Sequence, residues 1–568
     1  MDASIRKSAK WDLFTPKLVT VLKEHYRLPH LKADAIAGLT VAIVALPLSM
    51  AIAIASGVTP DRGLYTAIVG GFIVSMLGGS RFQIGGPAGA FIVLIAATVA
   101  VHGVDGLILA TMLSGLMLMA IGFLQLGTFI KYIPYPVTIG FTSGIAVIIF
   151  ASQIKDLLGL TLAGPEPSPL VSKLTALFDA LPTVSLAAVL ISALTIAIII
   201  LCRRYRPHWP GLLIAVTVAS LGAWVLGLPV ETIGTRFGGI PQTLPAPQLP
   251  VLSIEKIIAV LPAAISFTLL GSIESLLSAV VADSMTGRRH RSNAELVAQG
   301  AANIGSALFG GMCVTGTIAR TATNIRAGAH GPVAGMLHSL FLLLFMLIAA
   351  PLASYIPLAA LAGILATIAW NMAEKHDFAT LLRASWGDAV VLLSTFLLTI
   401  FRNLTEGIVV GFSLAALLFL HRMAESVNVQ SARLAQDDRD RANGDEHAYD
   451  EILPTDPDIA IFRISGAFFF GAASSVGAAL DRIGAHPKAF VIDFSQVPII
   501  DSTAAATLQG FIRKAKSHGA LIYLAHANPA IRHALVAHGI RPPLVKFVAT
   551  TERGLSLARS AIKRAESA

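Results

Sequence analysis

GTIARTATNIRAGA, residues 316–329, sets Arg320 and Arg326, three threonines and Asn324 among glycines in a neighbourhood that is otherwise apolar. Apolar runs of about 20 residues, the length a helix needs to cross a bilayer, recur from residue 33 to residue 422. Over 568 residues, 55% are hydrophobic and 13% charged, more apolar surface than a water-soluble chain can hide. The C-terminal part differs, with mixed charge and short β-rich runs. The chain therefore reads as a cytoplasmic N-terminal segment (1–32), a transmembrane domain (33–424), a linker (425–450) and a soluble domain (451–568). Residues 316–329 then lie at membrane depth, where polar side chains are costly and mark function.

The net charge of +9 points to cationic cytoplasmic loops beside anionic lipid rather than to nucleic acid. Cys202 and Cys313 are far apart and give neither a disulfide framework nor a metal-ligand spacing. The N-terminus is basic and polar (Arg6, Lys7, Lys10, Lys17, Lys23), and the first apolar run is a full span rather than a signal peptide. Nothing resembles a catalytic triad, a metal site or an ATP-binding loop, so the expectation is no enzyme, no cofactor and no ATP-driven pump.

Fourteen runs are expected as membrane segments, from 35–56 to 405–422. An even number puts both termini on one side. CRRYRPHW (202–209), GRRHR (287–291), the connection from Lys375 to Arg383 and HRM (421–423) all follow even-numbered runs, whereas the long connections 155–182 and 229–254 hold few cations. The termini and the soluble domain are thus expected in the cytoplasm of a cell with a multi-pass protein in its inner (plasma) membrane.

Two runs are abnormal. The third (87–101), approached through GGPAGAF (85–91), and the tenth (317–329) are short and begin at Gly or Pro. They occupy corresponding places in two halves of seven, the pattern of inverted repeats whose broken helices meet at a midplane site. Each broken helix presents unpaired backbone N–H groups and a positive dipole end, and two such ends facing each other attract an anion. Close helix packing is the plainer use of the same glycines.

ADAIAGLTVAIVALPLSMAIAIASGVTPDRGLYTAI (33–68), GGPAGAF, GGMCVTGTIARTATNIRAGAHGPVAG (310–335), IPLAALAGILATIAWNM (356–372) and TFLLTIFRNLTEGIVVG (395–411) resemble, in order, helices of the SulP anion-permease family. These permeases are relatives of the mammalian sulfate carriers and prestin. VIDFSQVPIIDSTAAATL (491–508) resembles the core of the STAS domain that closes most members. The resemblance implies fourteen helices in 7+7 inverted repeats, arranged as core and gate domains, followed by an α/β STAS domain. It also implies a homodimer, an anion held between the third and tenth helices, and elevator-like alternating access.

On that basis Gly85, Gly86, Ala88, Gly89, Ala90 and Phe91 lie at one helix start, with the N–H groups of Ala88 to Phe91 toward the anion. Thr317, Ile318, Ala319, Arg320 and Thr321 lie at the other; Ala319 stands where several animal relatives have serine. Arg320 either adds a fixed positive charge beside the anion or supports the helix end; an arginine at this depth costs about 2.5–3.5 kcal/mol on insertion scales, which argues for a specific partner. Arg326, further along, is expected in a snorkelling or loop role. Glu274, with Ser272, Ser275 and Ser278 around it, is a carboxylate in apolar surroundings that can exchange a proton, with a structural pair, for example to Arg320, as the plainer reading. Some sodium-coupled bicarbonate members of the family carry an aspartate with a threonine one turn on; here the pair is Glu274 and Ser278, and the longer carboxylate favours proton over sodium coupling. Leu48 replaces a glutamine found in many relatives and Ser49 follows it, which leaves room for substrates other than sulfate. His338 reads as a packed helix contact.

In the tail, strands are expected at 459–464, 489–494 and 521–526, and helices at 501–517, 529–538 and 552–563. Ser502 matches the place where STAS antagonists are phosphorylated, and it is equally a helix N-cap. The leading expectation is a secondary active anion transporter of the sulfate-permease type, a proton symporter. The alternatives are a dicarboxylate (succinate or fumarate) or bicarbonate carrier, a channel, or a membrane-anchored regulatory protein that engages a cytoplasmic partner through its STAS domain.

Overall fold

Proline and glycine set where the apolar helices begin and end. Pro134 precedes the Tyr135–Leu158 helix and Gly159, at φ 63°, closes it; Pro357 precedes Leu358–Met372 in the same way. The computed structural model describes residues 13–128, 134–164, 166–167, 169–206, 209–402, 404–431, 458–481 and 487–566. The N-terminal cations Arg6, Lys7 and Lys10 and most of the linker lie outside them. Contacts divide the chain into two units, residues 1–412 and 413–568.

The first unit is helical. Among the described residues seven helices are long and apolar enough to cross a bilayer: Leu28–Ala55, Gly89–Phe123, Tyr135–Leu158, Leu186–Tyr205, Ile254–Thr286, Val333–Ala353 and Leu404–Glu425. The other apolar runs form shorter helices, including Gly211–Val225 and Trp386–Phe401. The runs expected at 87–101 and 106–126 are one element broken at Gly103, whose φ of 68° interrupts the helical ladder. Four helices were not anticipated: Lys17–Lys23 ahead of the first apolar run, and Leu170–Asp179, Ile233–Phe237 and Lys375–Ala384 within connections between runs.

Small residues allow the closest helix crossings. Where Ser292–Leu308 meets the 92–123 element, a Cβ on Gly115 would lie 2.7 Å from the Gly300 carbonyl oxygen, and one on Gly300 would lie 2.5 Å from that of Gly115. The tenth-run helix covers only Ile318–Arg326, nine residues. At 1.5 Å per residue it spans about 14 Å, less than half of the hydrocarbon core. Just before the two broken helices, β1 (Gly85–Gly86) and β2 (Thr315–Gly316) pair antiparallel, with Gly85 opposite Gly316 and Gly86 opposite Thr315. This pairing binds the two helix starts to each other.

The second unit holds a five-stranded sheet in the order β3 (Asn428–Ser431), β4 (Ile459–Ser465), β5 (Ala489–Gln496), β6 (Leu521–Ala525), β7 (Lys546–Val548). β3 is antiparallel to β4 and the remaining pairs are parallel. Alternation along β5 sends Phe490, Ile492 and Phe494 to one core and Ala489 and Val491 to the other, where the Thr551–Glu566 helix packs through Leu555, Ala558 and Ile562. β3, β7 and the Phe470–Asp481 helix were not anticipated, and β3 comes from within the stretch read as linker. Asp501, not Ser502, is the N-cap of Ser502–Ser517: its carboxylate accepts from the N–H of Ala504 at 2.8 Å and of Phe470 at 2.9 Å. Ser502 is the first helical residue and is exposed.

Candidate functional site

A cavity of about 350 Å³ opens where the two broken helices begin. Ala88, Gly89 and Ala90 line it from one start; Thr317, Ile318, Ala319 and Arg320 line it from the other. Ala88 and Thr317 are both extended, and neither start carries a side-chain cap. The first-turn N–H groups of Ile318–Arg326 have no acceptor within their own helix. Ala319 is exposed to the cavity, so the positive end of this helix faces open space.

Arg320 is 1% exposed yet borders the same cavity. Its Nη2 donates to Ser49 Oγ and to the Pro87 carbonyl, each at 3.2 Å. Its Nε and Nη1 have no hydrogen-bond partner among the described residues. Three N–H groups of a buried guanidinium, on two nitrogens, are thus unpaired among the described residues, an arrangement whose cost in a dry interior calls for an acceptor. Gly86 leaves room for this side chain, since an added Cβ there would collide with Arg320 Nη1. Gly86→Ala is expected to displace the guanidinium and weaken anion affinity about tenfold, read as the half-saturation of uptake. Gly271→Ala, whose Cβ would meet Phe91 Cζ at 3.6 Å, serves as the control.

Glu274 also lines the cavity, from the Ile254–Thr286 helix, and makes no hydrogen bond or ion pair among the described residues. It does not pair with Arg320. Ser49, Gly86, Phe91 and Thr321 support the site without lining the cavity. Thr321 Oγ1 accepts from the Ile84 N–H at 3.1 Å and from Ser278 Oγ at 3.2 Å, tying three segments together. Ser49 holds Arg320, Gly86 pairs in β1, and Phe91 is buried against Phe267 with ring centroids 6.0 Å apart. Thr317 Oγ1 donates to the Ile84 carbonyl at 3.3 Å. Arg326 is exposed on the last turn. His338 is buried where Val333–Ala353 packs on Leu28–Ala55.

The opposite wall went unnoticed in the sequence. It consists of Thr142 and Ile149 from Tyr135–Leu158, Leu365, Ile368, Asn371 and Met372 from Leu358–Met372, and Glu374 just beyond. Thr142 and Asn371 look like ordinary interfacial polar residues, and only the fold brings them to the helix starts. Leu48 and Ile52 add an apolar side. A further hydrogen-bonded chain joins Asp283 Oδ2 to His290 Nδ1 at 2.7 Å and His290 Nε2 to Ser292 Oγ at 3.0 Å. It has the order of a hydrolase triad, but the same carboxylate accepts from the His290 N–H at 3.1 Å, so it closes the turn before Ser292–Leu308.

The sequence pattern described as the sulfate permease family matches residues 31–395, and that of the STAS domain matches residues 452–553. The chain is 39% identical over 498 residues to the putative sulfate transporter YvdB of Bacillus subtilis, covering 87% of this chain and 91% of that protein. It is 32% identical over 523 residues to the bicarbonate transporter BicA of Synechocystis, covering 90% and 91%. The solved structure of the murine anion transporter Slc26a9 in the inward-facing state superposes with a TM-score of 0.85 at 18% identity, over 98% of this chain and 95% of that one. That likeness is one of fold.

Proposed function

Because this chain belongs to the sulfate permease family of membrane anion transporters, we propose that it is a secondary carrier that binds a small oxyanion at Arg320 and moves it together with a proton held by Glu274. One observation carries the reading: two uncapped helix starts and a buried arginine whose Nε and Nη1 lack hydrogen-bond partners among the described residues border one cavity. Helix starts supply partial positive charge and oriented N–H groups, and Arg320 supplies a full charge in a setting with little water. The N–H groups of residues 88–90 and 318–320 are the ligands; that of Phe91 donates to the Ala88 carbonyl at 3.1 Å.

Glu274 gives a reason for coupling. An ionised carboxylate in the same cavity repels the anion, so each favours binding of the other only when Glu274 carries a proton. By linkage the anion then draws a proton in with it. The lining comes from two sets of helices, Leu28–Ala55 with the broken pair and Ile254–Thr286 on one side, Tyr135–Leu158 and Leu358–Met372 on the other. Sliding of one set along the other would expose the cavity to each side in turn, an elevator-like movement. The carrier has fourteen segments, works as a homodimer, and keeps both termini and the STAS domain in the cytoplasm, with Ser502 exposed for phosphorylation or for a protein partner.

A bicarbonate substrate is the second reading. It is supported by Leu48 and Ile52, which line the cavity without an amide for a larger oxyanion, and by the likeness to a protein named a bicarbonate transporter. The test is uptake of labelled sulfate, bicarbonate and succinate into liposomes holding the purified protein, with a proton gradient, a sodium gradient or neither. The reading expects one anion to accumulate with the proton gradient alone. Uptake driven only by sodium would overturn the coupling, and folded protein that carries none of the three would overturn the carrier reading.

A further inference from the structure

We infer that Glu374 screens anions by charge at the mouth of the cavity, opposing divalent oxyanions more strongly than monovalent ones; this rests on the carrier reading above. Glu374 belongs to neither broken helix. It follows Leu358–Met372 and precedes Lys375–Ala384, whose Phe378 N–H donates to the Glu374 carbonyl at 2.9 Å. Its side chain takes no part in capping. Instead it lines the same cavity as Arg320 and Glu274 while being exposed to solvent. Arg320 is 1% exposed and Glu374 is exposed, so of these two charges Glu374 is the one that an anion in bulk water meets.

The charges around Glu374 leave its carboxylate uncompensated. Asp377, one turn along the same helix, is a like charge, and the Tyr135 hydroxyl hydrogen-bonds to it. Lys375 is turned to Trp370, donating to its carbonyl at 2.7 Å with Nζ 3.8 Å from the ring centroid. His376 is 95% exposed. Arg203 Nη1 donates to Asn371 Oδ1 at 2.7 Å on the rim. Among the described residues Glu374 makes no ion pair. The lining itself therefore holds two carboxylates and one guanidinium, with the Arg203 guanidinium bound to the Asn371 amide.

Partial desolvation where the side chain meets the cavity wall, and then the neighbouring Asp377, raise the Glu374 carboxyl above its ordinary value. The screen is fully charged well above that raised value and relaxes as pH on its side falls. A unit charge at the rim of a hydrated cavity alters the affinity of a monovalent anion about twofold and of a divalent one about fivefold.

The test uses the full-length protein in liposomes, following counterflow of whichever anion among sulfate, bicarbonate and succinate the wild type carries. Sulfate and nitrate are added as divalent and monovalent competitors at pH 6 and pH 8. Glu374→Gln is expected to strengthen competition by sulfate about fivefold at pH 8 and by nitrate about twofold, with smaller changes at pH 6. Glu374→Asp, which keeps the charge, is expected to retain the wild-type preference. Equal competition by both anions in wild type and Glu374→Gln overturns the inference alone. Wild-type protein that carries none of the three anions overturns the carrier reading and this inference with it.

Discussion

Arg320→Ala is expected to abolish concentrative uptake while the protein still folds and elutes as the wild type does. The guanidinium links three segments, with Nη2 on Ser49 and on the Pro87 carbonyl, Nη1 against Gly86, and Nε and Nη1 without a hydrogen-bond partner among the described residues. A hydrogen bond to a charged group is worth about 1.5–3 kcal/mol, so losing the anion contact weakens affinity by about tenfold to more than a hundredfold. The local hydrogen bonds lost are only those to Ser49 and Pro87, and β1–β2 pairing and the Thr321 bridge still hold the helix starts together. Arg320→Lys is expected to retain part of the affinity, since an ammonium keeps the charge but lacks the planar fork that reaches Ser49, Pro87 and the cavity at once. The measurement is anion half-saturation and maximal rate in liposomes, beside size-exclusion profiles. Loss of folded protein in both variants would instead identify Arg320 as a structural brace.

Glu274→Gln is expected to separate movement from coupling. The amide keeps the shape of the side chain but cannot take up or release a proton. Exchange of labelled for unlabelled anion should persist, proton-driven accumulation should vanish, and the rate should lose its dependence on pH. Because Glu274 makes no hydrogen bond or ion pair among the described residues, the substitution leaves no protein partner stranded. Gradient-driven accumulation at the wild-type level in this variant would remove Glu274 from the coupling path.

Much of this site is legible in the sequence because its signals are local. GGPAGAF and GTIARTATNIRAGA announce two interrupted helices by glycine and proline alone, and an arginine or glutamate in an apolar run is conspicuous. The support around the site is long-range and was not legible. No spacing shows that Thr321 would bridge Ile84 and Ser278, or that Ser49 would hold Arg320 across 271 residues of chain. The Phe91 N–H, expected toward the anion, donates instead to the Ala88 carbonyl at 3.1 Å, and its ring packs on Phe267. Glu374 escaped notice because a charge at the end of an apolar run is ordinary; its meaning comes from the cavity that the fold places beside it. In the tail, β5 and β6 are strong β-formers and stood out, whereas β3 and β7 are four and three residues long and depend on pairing with their neighbours.

The central claim is that an anion is held between the two helix starts, and a structure determined with the transported anion at saturating concentration tests it most directly. Density is expected in the cavity, within about 2.7–3.2 Å of backbone N–H groups from residues 88–90 and 318–320, beside the Arg320 guanidinium. An anion bound elsewhere, with this cavity left to water, would contradict it.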